Sequence, residues 1–98
     1  MAKYRFYEDA GHGWLSVAVN ELVALGIADD ISTYSYLSPS LKWAYLEEDR
    51  DLTIFLNAKG WGDAEWKANV KHMRPAKFDS AIRKYDSYTP PRQWELPL

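Results

Sequence analysis

The chain opens with short alternating stretches of polar and apolar residues that predict β-strands. Residues 3–7 alternate cations and aromatic rings, which is typical of a half-buried strand. Residues 14–17 predict a second strand. Residues 32–37 and 42–46 are rich in strand formers and flank a Ser-Pro-Ser turn, so they predict a hairpin.

Two helices are predicted from apolar residues at helical spacing. The first begins near Val19 and ends at Gly26, and the second opens with the acidic run 47–51 and ends at Gly60. The apolar residue after each glycine, Ile27 or Trp61, is placed to contact the last turn of its helix. This spacing predicts two left-handed glycine caps.

The pattern after Gly62 predicts one more strand over residues 65–73, then a helical turn over residues 80–85. Pro90 and Pro91 begin an extended tail. We therefore expect an α+β fold in the order β-β-α-β-β-α-β, with two helices on one face of a mainly antiparallel sheet. Residues 1–88 form the predicted single domain, and residues 89–98 form its tail.

Charge is divided unevenly along the 98 residues, although the formal net charge is only −2. Residues 1–66 carry five cations and eleven acids, whereas residues 67–98 carry seven cations and three acids. Such asymmetry indicates either an anionic partner at the basic end or a basic stretch that folds back on the acidic one.

The basic C-terminal third also holds aromatic residues, and this combination predicts a binding site. Aromatic faces stack on bases while Arg binds phosphate, so the predicted partner- or ligand-binding residues are Arg74, Arg83, Lys84, Tyr85 and Trp94. The alternative is a core whose cations only face water. Overall acidity disfavours long duplex DNA, so a small phosphorylated ligand or an acidic protein surface is the expected partner.

His12 is a further candidate, because it lies between two glycines at a predicted turn. It could contact a ligand, or act in acid–base chemistry with Glu47 or Glu48, or simply complete the turn. The acidic run lacks the spacing of a calcium loop and suits a helix start, so we assign neither a metal nor a cofactor.

Composition removes several classes of function. The chain has no cysteine, which excludes disulfides and thiol nucleophiles and fits the cytoplasm. Neither a signal peptide nor an apolar run long enough for a membrane span is present, so we expect no membrane partner. Whether copies self-associate stays open.

Several segments resemble one group of proteins. They are the string DAGHGWLSV at residues 9–17, LGI at 25–27, ISTYSY at 31–36, YLEEDRD at 45–51 and SAIRKY at 80–85. Together these look like short uncharacterised proteins encoded by bacteriophages and prophages. The pattern of that group has Cys where this chain has Arg50, so no thiol role transfers.

The resemblance implies a context rather than a chemistry, since the group brings no established activity. Small accessory phage genes often encode proteins that block a host machine or defence. The expected function is therefore a non-catalytic counter-defence protein that occupies a host immune protein or sequesters its nucleotide signal in the host cytoplasm. The alternatives are a small hydrolase or transferase using His12, and a structural protein that self-associates.

Overall fold

A computed structural model describes residues 3–91, which form an α+β domain built on a six-stranded sheet. The strand order is β5-β1-β2-β4-β3-β6, and every neighbouring pair is antiparallel except β1 and β5. The predicted fold class is confirmed. Of the predicted tail, residues 92–98 lie outside the described residues.

The elements follow one another with short connections. In chain order they are β1 (Tyr4–Glu8), β2 (Gly13–Ala18), α1 (Val19–Ala24), a 3₁₀ turn (Ala28–Asp30), β3 (Tyr36–Leu37), β4 (Trp43–Glu47), α2 (Asp51–Lys59), α3 (Asp63–Asn69), β5 (Val70–His72), a second 3₁₀ turn (Ala81–Lys84) and β6 (Asp86–Ser87).

Strand register divides the sheet into an inner and an outer face. Phe6 pairs with Leu15, and Leu15 pairs with Leu46, so these buried side chains share the inner face. The helices pack there, with Leu22 of α1 and Phe55 of α2 in the same apolar core. Trp66 of α3 meets the Phe6 ring edge-on at 5.6 Å. The outer face has no α-helix on it within residues 3–91.

Both predicted glycine caps are present. Gly26 and Gly60 have φ of 74° and 68°, the left-handed conformation that glycine adopts without strain. The N–H of Ile27 donates to Leu22 O, and the N–H of Trp61 donates to Leu56 O, both at 3.0 Å. The two helices therefore end by the same arrangement.

The acidic run at the start of α2 acts on the backbone. The Glu47 carboxylate accepts the N–H groups of Asp49, Arg50 and Asp51 at 2.6–2.7 Å. Asp51 is fully buried and accepts hydrogen bonds from both Ser32 and Ser35. The predicted role at a helix start thus belongs to Glu47, while Asp51 holds the segment before β3.

The prediction of a strand over residues 65–73 was wrong for most of its length. The segment is helical as α3 to Asn69, and only Val70–His72 joins the sheet, parallel to β1. Gly62 N–H donates to the Glu65 carboxylate at 2.7 Å, which supports the helix start. The strand predicted over 32–37 shortens to Tyr36–Leu37, and β6 pairs with it unexpectedly.

Candidate functional site

The outer face of the sheet carries a trough that runs along β2. Ser16 lies on its floor, because Ser16 is paired with Arg5 of β1 on one side and with Tyr45 of β4 on the other. The trough has a volume of about 380 Å³, and its lining comprises Lys3, Tyr4, Arg5, Tyr7, Ser16, Trp43 and Tyr45. Small side chains on the central strand and long ones on both flanks create this shape.

The β1 side of the trough is basic. Lys3 and Arg5 are exposed, and neither forms an ion pair within residues 3–91. Lys71 of β5 is in register with Arg5 and adds a third cation to this side of the face. No Asp or Glu belongs to the trough lining within residues 3–91.

The β4 side of the trough is aromatic. Trp43 remains 47% exposed although it is a large apolar ring. Tyr45 is held between Tyr7, with ring centroids 6.0 Å apart, and Tyr85 at 5.5 Å. Burial is the main cause that raises the pKa of Tyr45, and the neighbouring Tyr85 and Tyr7 raise it further. The Tyr45 phenol is therefore neutral at physiological pH and does not repel an anion.

A segment that we call the strap, residues 77–85, covers the other half of the outer face. It crosses from the β1 side, where Ala76 N–H donates to Glu8 O, to the β3 side, where β6 pairs. Arg83 lies over the ring of buried Trp14, with its guanidinium carbon 5.6 Å from the ring centroid. Within residues 3–91 the strap therefore covers Trp14 and leaves the trough open.

Arg83, a predicted binding residue, is held by Asp9. Its Nε and Nη2 donate to the two Asp9 carboxylate oxygens at 2.6 and 2.9 Å. The Arg83 guanidinium holds the pKa of Asp9 well below its usual range, and backbone N–H groups of Ser80, Gly11 and His12 add to this effect. Arg83 therefore fastens the strap, and its donors already serve an internal carboxylate.

The other predicted binding residues lie in different places. Tyr85 packs on Tyr45 and thus supports the aromatic wall of the trough from behind. Arg74 and Lys84 are exposed and belong to no ion pair within residues 3–91, but neither lines the trough. Trp94 lies outside the described residues. The structure brings only Tyr85 of this group to the trough.

His12 lies at an exposed turn that Asp9 orders, because the His12 N–H donates to Asp9 Oδ1 at 3.0 Å. Glu48 comes near this turn, since its N–H donates to Gly13 O at 3.1 Å. The Glu47 carboxylate, in contrast, accepts hydrogen bonds from backbone N–H groups at the start of α2. Of the acid–base alternative, the Glu48 backbone therefore bonds to the turn that contains His12, and the Glu47 carboxylate is already engaged.

Sequence reasoning missed Lys3, Arg5, Trp43 and Tyr45 as site residues. The signal was present, because the alternation in residues 3–7 puts both cations of that stretch on one face of β1. Within the described part of the chain, no group of three or more His, Cys, Asp or Glu is arranged to hold a metal ion. None of the helices within residues 3–91 has the length and apolar character that crossing a bilayer requires.

Comparison with models of protein families, with curated proteins and with solved structures finds no match to this chain.

Proposed function

We propose that this protein is a non-catalytic binding protein that sequesters a small phosphorylated ligand in the trough of the outer face. The proposal depends mainly on Lys3 and Arg5, which form no ion pair within residues 3–91. They lie beside a concave surface whose lining, in the same part of the chain, contains no acidic residue. Arg presents a planar fork of donors that fits phosphate oxygens, and Lys adds a mobile charge.

Occupancy without catalysis is supported by what surrounds the trough. Among the described residues its lining offers cations, phenols, an indole and one serine, and it includes neither a histidine nor a carboxylate that could act as a general base. His12 lies at the Gly11–Gly13 turn, and the register places Gly13 opposite Glu8 at the far end of β1 from Lys3. A ligand held in the trough would therefore be bound and not converted.

The setting of this proposal comes from the resemblance to small phage-encoded proteins. In that setting the protein acts in the host cytoplasm against a defence system. Removing the phosphorylated signal of that system from solution would be enough to keep the defence inactive. The strongly localised positive charge on a net acidic chain suits a small anion better than a long duplex, whose affinity depends on many phosphate contacts.

Native mass spectrometry of protein purified from cells tests the proposal. We expect a retained phosphorylated compound of unchanged covalent structure, lost in Arg5→Gln and kept in Lys67→Gln, which removes an exposed cation on α3. His12→Ala should retain the compound as well. Protein that carries no ligand and binds none from a panel of phosphorylated metabolites in calorimetry would contradict the proposal.

A further inference from the structure

The two sides of the trough differ in chemistry, and this difference narrows the ligand class. Resting on the proposed function, we infer that the ligand is a nucleotide, either free or unpaired within a single strand. Its base lies against Trp43 and Tyr45, and its phosphate lies on Lys3 and Arg5.

The aromatic side is built to receive a flat ring. Trp43 presents nearly half of its surface to solvent, whereas Trp14 on the same face is covered by Arg83 of the strap. Tyr45 is braced by Tyr7 and Tyr85 on two sides, so little side-chain freedom would be lost when a base packs on it. Stacking on aromatic rings is tolerant of base identity and contributes substantially to binding of unpaired bases.

The spacing of the two walls matches a ligand with a ring at one end and an anion at the other. The walls stand on β1 and β4, with β2 between them, so they are two strand spacings apart, roughly 9–10 Å. In a nucleotide the ribose separates the base from its phosphate. One nucleotide can therefore lie across the floor at Ser16 and contact both walls.

A base that is already paired and stacked in a duplex cannot use the aromatic wall. A duplex would present only phosphates to the trough, and Trp43 would then stay exposed without a partner. A ligand without a ring, such as a sugar phosphate, would likewise use only the Lys3 and Arg5 side. The exposed indole thus separates nucleotides from both other kinds of phosphorylated ligand.

A cycle that pairs protein variants with truncated ligands tests this inference by calorimetry. The probes are the ribonucleoside 5′-monophosphates, their nucleosides, ribose 5-phosphate and a short single-stranded RNA of mixed sequence. Trp43→Leu should weaken nucleotide binding about tenfold and leave ribose 5-phosphate unchanged. Arg5→Gln should weaken nucleotides and ribose 5-phosphate alike and leave nucleosides unchanged.

Controls separate the site from general effects. Trp43→Phe keeps a ring and should retain most of the affinity even if Trp43→Leu is poorly folded. Tyr34→Leu removes an aromatic ring that is 78% exposed but does not line the trough, and it should bind as the wild type does. Tighter binding of the RNA than of every monophosphate would assign the nucleotide to a single strand, and the reverse order to a free nucleotide.

Two results distinguish the failure of this inference from failure of the proposed function. If ribose 5-phosphate binds as tightly as the nucleotides and Trp43→Leu changes neither, the nucleotide inference is wrong while phosphate binding stands. If none of the phosphorylated probes binds, both are wrong.

Discussion

The pairing of Asp9 with Arg83 illustrates how the partner of one side chain determines what its charge can do. The Asp9 carboxylate is buried and receives two donors from Arg83 as well as the N–H groups of Gly11, His12 and Ser80. A buried carboxylate is tolerated only when it is paired and hydrogen-bonded in this way. The same contacts order the Gly11–Gly13 turn and fasten the strap.

Replacing Arg83 should therefore lower stability. Arg83→Gln leaves the Asp9 charge buried without its cation, and we expect the Tm to fall by several degrees. Lys84→Gln, which removes the neighbouring exposed cation, should leave the Tm unchanged. Thermal unfolding at neutral pH measures both, and an unchanged Tm in Arg83→Gln would show that the ion pair contributes nothing to the fold.

The same pair should make stability depend on acid. The pKa of Asp9 is lowered in the fold from its ordinary 3.8, so the stabilisation is present above about pH 4 and is lost as the pH falls below it. The difference in Tm between wild type and Arg83→Gln should therefore shrink below about pH 4. A difference that stays constant down to about pH 2 would assign the effect of the variant to packing.

At the scale of elements, Gly60 offers a clean test of the cap that ends α2. A Cβ added at Gly60 would meet nothing within 4 Å, so the positive φ is the main cost of a substitution there. Gly60→Val should lower the free energy of unfolding by about 1–2 kcal/mol. Gly62→Ala is the control, because Gly62 has φ of −108° and its added Cβ would make ordinary contact. Urea denaturation compares the two, and equal midpoints would refute the assigned role.

The sequence correctly predicted those elements whose determining residues lie close together in the chain. The two glycine caps, β1, β4 and the helical turn before β6 all follow from residues close in sequence. The segment of α3 was mistaken because Trp66, Ala68 and Val70 alternate as in a strand. Asp63 and Glu65 in its first turn are a helix-start signal that outweighs this alternation.

The trough could be predicted only in part. Alternation places Lys3, Arg5 and Tyr7 on one face of β1, and it places Trp43 and Tyr45 on one face of β4. That the two sets flank one strand depends on β2 pairing with both β1 and β4, which is a long-range register. The Asp9–Arg83 pair spans 74 positions and has no local signal at all.

At the scale of the whole molecule, Tyr88 joins the C-terminal part of the described chain to the core. Its side chain is fully buried, its N–H donates to Ser35 O at 2.8 Å, and its hydroxyl donates to Ala28 O at 2.6 Å. The chain after the strap is thus part of the packed domain as far as Tyr88. Tyr88 also carries a titratable group into that core, so its ionisation bears on the stability of the entire domain.

Burial raises the pKa of Tyr88 to about 12 from its ordinary value of 10.0. A raised pKa means that the fold favours the protonated phenol, so its contribution to stability is complete below about pH 10 and is lost as the pH rises toward 12. Tyr88→Phe should lower the free energy of unfolding by about 1 kcal/mol at neutral pH, because Ala28 O loses its donor.

This difference should shrink, and can change sign, between about pH 10 and about pH 11.5, since only the wild type has a phenol that ionises on unfolding. Urea denaturation across this range measures it, and the other titrating groups cancel because both proteins contain them. A Tyr88→Phe difference that is independent of pH would mean that the Tyr88 phenol titrates alike in the folded and unfolded chain, contrary to its burial.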